Sequence, residues 1–265
     1  MKILAIMGSP HKGNTFEITQ RIERQLKEHD DVEFEYVHLK DMDIQPCKGC
    51  FACFVKGQHC CPLKDDKEMI MQKIEQSQGV IFVSPVYSMH VTYLFKKFVD
   101  RIAYNFHRPC YFGKYAITVA ATGGIGLEEA LKYLKMVAVT TGFTFIDELG
   151  YIAPPKNTSY KKLMDKKDRT EEVVQKFYSA IKQQQPRKLN LSDYIHFHSM
   201  RTVYSRLESM SPVDYKYFVD KGWNEKKTKY FCDNVQGSFV KERIAAALGW
   251  YMGRQIDKSI KKVNL

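Results

Sequence analysis

Residues 2–28, KILAIMGSPHKGNTFEITQRIERQLKE, decide the fold. The opening KILAIM is a short continuous apolar run, as in a strand buried on both faces. From Thr15 to Glu28 the apolar positions Phe16, Ile18, Ile22 and Leu26 recur at helical spacing. Between strand and helix, Gly8 and Gly13 are separated by four residues, the spacing of a nucleoside-triphosphate phosphate loop. That loop would continue with Lys and then Ser or Thr, to reach the outer phosphates and a magnesium ion. Here the next residues are Asn14 and Thr15. A helix start offers free N–H groups and the positive end of its dipole, and small residues at Gly8, Ser9 and Gly13 admit a phosphate close to the backbone. Ser9, Asn14 and Thr15 add donors, and no side chain is placed to bridge to a second phosphate. The loop suits one terminal phosphate monoester, with a plain strand-to-helix turn as the alternative.

The same alternation continues downstream. VEFEYVHL alternates as a half-buried strand, GVIFVSP is a second buried run, and a helical pattern follows from Tyr93 to Tyr104. YAITVAATGG is a third run, Leu127 to Thr141 is helical again, and FTFIDELGYI supplies a last strand. Buried strands joined by helices need right-handed crossovers and give a mostly parallel sheet covered on both faces. The expected fold is therefore α/β, a doubly wound parallel five-stranded sheet with a helical C-terminal extension. Ligands of such sheets bind beyond the strands' carboxyl ends, where strand order reverses. Three buried runs end in residues suited to that place: Ser9 to Thr15, Ser84 to Ser88, and Thr122 to Gly126.

Composition sets the bounds. The 265 residues are 44% hydrophobic and 27% charged, enough for a substantial core. No apolar stretch approaches the ~20 residues that span a bilayer, and the first residues lack a secretory-length apolar region. A cytoplasmic location is expected. Five of the seven cysteines fall between Cys47 and Cys61, a poor match to a secreted disulfide framework. The net charge of +11 is uneven: residues 1–155 carry 18 Lys+Arg against 18 Asp+Glu, and residues 156–265 carry 23 against 12. The boundary falls at APPKNTSYKK, where Pro154 and Pro155 interrupt regular structure.

GSPHKGNT, SPVYS followed by LFKKFVDR, and ATGG resemble, in order and spacing, the flavodoxin-like NAD(P)H-dependent FMN reductases. With the cysteine cluster they resemble the iron-sulfur flavoproteins within that group, over roughly residues 1–150. The resemblance implies a flavodoxin-like sheet and bound FMN. Its phosphate would lie in the loop of Ser9, Pro10, His11, Lys12, Gly13, Asn14 and Thr15. Its ribityl chain and ring would lie against Pro85, Val86, Tyr87 and Ser88, and against Thr122, Gly123 and Gly124. Reduced nicotinamide would deliver a hydride to the flavin, for an electron acceptor the residues do not specify. The chemistry is borne by the flavin. Tyr87 and His90 are placed nearest the ring on position, against plainer readings as a core residue and an exposed helix-start residue.

In CKGCFACFVKGQHCCPLKDD, Cys47, Cys50 and Cys53 are spaced so that three thiolates can converge on one face of a cubic cluster, as in the bacterial ferredoxin run. Free thiols in a loop over the flavin are the main alternative, and zinc or a disulfide the lesser ones. The resembling iron-sulfur flavoproteins use this arrangement for a [4Fe–4S] cluster. Their Cys-to-Asp-Asp step matches Cys61 before Asp65 and Asp66, which makes Cys61 the preferred fourth ligand and Cys60 the spare. Cys110 and Cys232 suit buried structural thiols. On the helix of LFKKFVDR, Lys96 and Arg101 are expected at the surface or an interface, with Asp100 as their partner.

Two domains are expected, an FMN-binding domain over 1–186 and a basic, aromatic-rich helical extension over 187–265. Thr170 to Gln184 completes the first. In the second, Ser192 to Leu207 is a helix, Ser211-Pro212 a helix start, and Val240, Ile244, Leu248 and Tyr251 an apolar stripe with Arg243 and Arg254 beside it. Its aromatic residues are expected to pack onto the α/β domain or a second subunit, giving a dimer or tetramer. A basic face on a membrane is the weaker reading, and nucleic-acid binding is not expected because no base-reading module is present. The function expected is an FMN-dependent oxidoreductase taking hydride from NAD(P)H. The alternative is an FMN-containing electron carrier or a cysteine-based redox sensor.

Overall fold

The structure is a computed structural model that describes residues 1–152, 168–206, 208–209 and 211–263. The Pro154-Pro155 boundary lies outside the described residues. By contacts the chain forms two compact units, Met1–Lys48 with Leu63–Gln185, and Gly49–Pro62 with Pro186–Leu265.

The first unit is the doubly wound sheet. Its strands are β1 (Lys2–Met7), β2 (Glu33–His38), β3 (Gly79–Tyr87), β4 (His90–Val91), β5 (Tyr115–Thr122) and β6 (Thr144–Ile152). Five run parallel in the order β2-β1-β3-β5-β6, and the two-residue β4 pairs antiparallel with β3 as a sixth. Along the central strands alternate residues face opposite layers. Leu4, Ile6, Val80 and Phe82 meet α3 (Lys67–Gln76), α4 (Tyr93–Arg101) and α5 (Leu127–Thr141). Ile3, Ala5, Ile81 and Val83 meet α1 (Asn14–His29) and α6 (Thr170–Lys182). Burial on both faces is why these strands are continuous apolar runs and not alternating ones. The helical pattern expected to Tyr104 stops at Arg101, and Ala103–Phe106 tightens into a 3-10 turn.

Because β1 passes to β2 on one side and the chain returns to β3 on the other, strand order reverses between β1 and β3. The loops after β1 and β3 therefore diverge and leave a crevice at the carboxyl edge.

In the second unit the short strands β7 (Arg187–Lys188) and β8 (Val235–Gln236) pair in parallel beside α7 (Leu191–Tyr204), α8 (Pro212–Asp220) and α9 (Phe239–Val263). Asn190 caps α7 reciprocally with Asp193, and Asp193 also accepts from Arg187 at 3.0 Å. Pro212 opens α8 as expected. The aromatic residues bury against one another: Phe197, Phe218, Trp223, Tyr230 and Phe231 meet mostly edge to face. This corrects the expectation that they serve to attach the extension elsewhere; they are its own core.

On α9 the expected apolar stripe lies on the outer face. The buried face of the helix holds Ala245, Gly249 and Gly253, which lie close to α7; a Cβ on Gly249 would stand 3.0 Å from that of His198. Val240, Ile244, Leu248 and Tyr251 face outward, each about half exposed or more, with Trp250 beside them. Small residues are what let two helix backbones approach, so the large apolar ones are left on the other side.

Candidate functional site

The loops after β1, β3 and β5 enclose a cavity of about 150 Å³ at the carboxyl edge of the sheet. Ser9, His11, Gly13, Asn14 and Thr15 line it from the first loop, Pro85, Val86 and Tyr87 from the second, and Ala121, Thr122 and Gly123 from the third. Of the residues expected here, Pro10, Lys12, Ser88 and Gly124 are not among the lining. Ala121 is, and sequence reasoning missed it because it reads as one more apolar residue of its strand. Lys12 leans back over the Phe16 ring at 5.1 Å. Ser88 sits in the β3–β4 turn with φ 48°, and the Gly124 N–H donates to Thr122 Oγ1 at 3.2 Å.

The start of α1 stands at the cavity. Gly13 is the extended residue before α1, and its carbonyl accepts from the N–H groups of Phe16 (2.9 Å) and Glu17 (3.1 Å). That leaves Asn14 and Thr15 as the first-turn donors at the cavity. Ser9 and Thr15 are buried, at 4% and 2% exposure. The Ser9 hydroxyl donates to the His11 carbonyl at 2.6 Å and accepts from the His11 N–H at 3.3 Å. It thus shapes the loop that presents the helix start. At the neighbouring end of β2, burial and then the positive charge of Lys12 hold the His38 imidazole below its ordinary value, with Asp41 opposing.

The ring-side candidates are separated. Tyr87 lines the cavity and is 42% exposed, which removes the core-residue reading. His90 does not line it; its ring stands edge-on to Tyr133 at 4.6 Å. Burial pushes the Tyr133 phenol up to about 12.

Cys47, Cys50 and Cys60 are exposed, Cys53 and Cys61 half-buried, and none of the seven cysteines is in a disulfide. Cys110, expected to be buried, is exposed; Cys232 is half-buried, and burial pushes its thiol up to about 11. Gly49, Phe51 and Gly57 take backbone of positive φ, and residues 49–62 coil into short turns that include α2 (Ala52–Val55) and a 3-10 turn at Gln58–Cys60. Among the described residues no three Cys, His, Asp or Glu side chains converge to hold a metal ion. The donor set has the soft chemistry an iron–sulfur cluster needs, without the convergence.

Asp65 and Asp66 close the base of this excursion. Asp65 accepts from the Gln45 N–H at 2.9 Å, and Asp66 from the Asp43 N–H at 2.8 Å. Arg101 binds Asp65 at 3.0 Å with both side chains about 1% exposed. Its expected surface place and Asp100 partnership are thereby corrected, whereas Lys96 does pair with Asp100.

The model of the family described as NADPH-dependent FMN reductase matches residues 1–158, more than half of the chain. The chain belongs to the NADPH-dependent FMN reductase family. As a member it is an FMN oxidoreductase with a nicotinamide co-substrate. It is similar to an iron-sulfur flavoprotein of Archaeoglobus fulgidus, 28% identical over 84% of this chain and 100% of that one. An iron-sulfur flavoprotein of Clostridioides difficile is 28% identical over 85% and 99%. A second from Archaeoglobus fulgidus is 40% identical over 38% of this chain and 48% of its own. Among solved structures, RosB with bound 8-demethyl-8-formylriboflavin-5'-phosphate superposes with a TM-score of 0.55 at 12% identity, covering 89% of this chain and 91% of that one. A flavone reductase gives 0.53 at 18% identity over 69% and 63%. At these identities the superpositions show the fold, which this FMN reductase shares. Among its described residues no helix is long and apolar enough to cross a membrane.

Proposed function

We propose that this FMN reductase holds FMN across the ends of β1, β3 and β5 and uses NADPH or NADH to reduce it. The observation that carries the reading is one cavity lined by three loops, among them a helix start, the buried hydroxyl residues Ser9 and Thr15, and exposed Tyr87. A volume of about 150 Å³ is below the ~300–1,000 Å³ of pockets that enclose a whole ligand. The enclosed part suits the phosphate and sugar chain, and Pro85 to Tyr87 would carry the ring. Asn14 and Thr15 N–H groups hold the monoester, Ser9 fixes their loop, and Thr122 and Gly123 border the chain. Bound FMN would supply the hydride and electron chemistry, and the residues lining the cavity would position it. Fluorescence titration of the flavin-free protein tests the assignment: FMN should bind far more tightly than riboflavin, and equal affinities would refute it.

The finer reading is that Cys47, Cys50, Cys53 and Cys61 together hold an iron–sulfur cluster. What supports it is thiolate chemistry at this spacing, the absence of disulfides at these residues, and the name of relatives matched over nearly their whole length. The outward apolar face of α9 supports assembly with a second copy, since a contiguous exposed apolar patch usually marks an interface.

A further inference from the structure

Two buried hydroxyl residues lie directly beneath the cavity without lining it. Ser84 and Thr92 are 0% and 1% exposed. The Thr92 hydroxyl donates to the Gly8 carbonyl at 2.5 Å and accepts from the Phe95 N–H at 3.3 Å, so it caps α4 and tethers the first loop at once. The Thr92 N–H donates to Ser84 Oγ at 3.1 Å, and Ser84 donates onward to the Pro85 carbonyl at 2.9 Å. Gly8 in turn donates to the Val83 carbonyl at 2.7 Å. It is pressed onto α4 so closely that an added Cβ would stand 2.9 Å from that of Phe95. The origin of the Ser9–Thr15 loop is therefore held at its N–H by the backbone of Val83 and at its carbonyl by a side-chain hydroxyl from a different element.

The other end of the site has a separate clamp. Ser88 and Met89 form the β3–β4 turn with φ of 48° and 69°, two successive left-handed residues that are not glycine. Such a turn is costly for side-chain-bearing residues and persists where its surroundings hold it. Gly126, at φ +84°, supplies that hold: a Cβ there would lie 2.5 Å from Met89 Cα. Tyr133, one helix face further on, packs against His90 on the same turn.

The geometry points to Thr92 and Gly126 as positioning residues that set the two ends of the flavin separately, Thr92 the phosphate end and Gly126 the ring end. This rests on the FMN reading of the cavity. Thr92 acts through Gly8 on where Asn14 and Thr15 present their N–H groups. Gly126 acts through Met89 on where Pro85 to Tyr87 lie. Neither touches the cavity.

The test compares FMN with riboflavin, which share the ring and differ in the phosphate. Thr92→Val keeps the backbone donor to Ser84 and removes only the hydroxyl. It should weaken FMN about ten-fold, equivalent to about 1.4 kcal/mol, and leave riboflavin within about two-fold. Thr92→Ser should restore the wild-type ratio. Gly126→Ala should weaken both flavins together and lower NADPH turnover in the FMN-loaded protein, with the ratio unchanged. Loss of the α4 cap also lowers stability, but a general loss cannot change the ratio between two ligands of one site. Ser84→Ala keeps the cap, should shift the ratio in the same direction as Thr92→Val, and carries the comparison if the latter does not fold. A wild-type protein that prefers FMN, with Thr92→Val or Ser84→Ala preserving that preference in full, overturns the positioning role of Thr92. Gly126→Ala changing FMN alone overturns the division into two ends. A wild-type protein with no preference for FMN overturns the site assignment itself, and this inference with it.

Discussion

Asp65 and Arg101 form an ion pair with both side chains about 1% exposed, and the same carboxylate closes the chain onto Gln45. The pair ties the LFKKFVDR helix to the Asp-Asp step that follows the cysteines. A buried pair adds little over a well-packed apolar one, but breaking it strands a charge. Asp65→Ala should therefore cost about 3–5 kcal/mol in urea unfolding. Asp65→Ala with Arg101→Met should recover a good part of that. A single variant within about 0.5 kcal/mol of wild type would mean that water reaches the guanidinium.

The cysteines give a second prediction. In protein purified without oxygen, replacing Cys47, Cys50, Cys53 or Cys61 with Ala should each remove most of the iron and the broad absorption beneath the flavin bands. Cys60→Ala should retain both. Iron retained by all four of the former variants would assign the metal elsewhere, and wild-type protein without iron would leave these residues as thiols.

Most of the sheet was legible because both faces are covered: a strand buried on two sides has no choice but to be apolar throughout, and GVIFVSP and YAITVAAT are. Leu127 to Thr141 was legible to the residue, since Gly126 and Gly142 bound it with left-handed backbone. Arg101 was not, because helical spacing beside Asp100 suggests a local pair, while its partner is 36 residues away. Spacing marks the apolar stripe of α9 but does not show that glycine and alanine on the opposite side form its contact face. Nor does local sequence indicate that Gly49–Pro62 groups with the chain after Pro186, where α2 contacts α8. The cavity residues were legible where glycine, proline and hydroxyl residues end a strand; the tether from Thr92 was not, because it depends on β3, β4 and α4 meeting Gly8.

Acid should find the second unit through His198. It is 2% exposed, accepts from Arg201 at 2.8 Å on Nδ1, and has Glu242 3.4 Å from Nε2. Burial first, and then the Arg201 charge, push its imidazole down to about 4. With an unfolded value near ~6.5, the unfolded chain binds the extra proton between those limits. The contribution is thus complete above about pH 6.5 and is lost as pH falls toward 4, amounting to roughly 3 kcal/mol at most. Burial also lowers His196, so the isolating measurement is the difference in urea midpoint between wild type and His198→Gln from pH 7.5 to 4.5. A constant difference over that range would show that Glu242 offsets the burial.

The outward face of α9 gives the last prediction. Val240, Ile244, Leu248, Trp250 and Tyr251 are 47–64% exposed, and the contact residues of α9 itself, Gly249 and Gly253, are so small that the helix cannot turn the large side chains inward without opening that contact. Charge is arranged to match: Glu242 is buried against His198, Asp257 pairs with Arg206, and Arg254 stacks on Trp250 at 4.3 Å. A second copy covering the stripe would leave such cations at a solvated rim, where they cost little. Leu248→Glu with Tyr251→Glu should then reduce the mass seen by light scattering to that of one chain. Being surface changes, they should leave the unfolding free energy of the monomer within about 0.5 kcal/mol. Unaltered mass in the double variant would remove α9 from the interface. Tight DNA or RNA binding that weakens steeply with salt, and is lost in the same variant, would instead give the face to a polyanion, because each phosphate neutralised releases counterions.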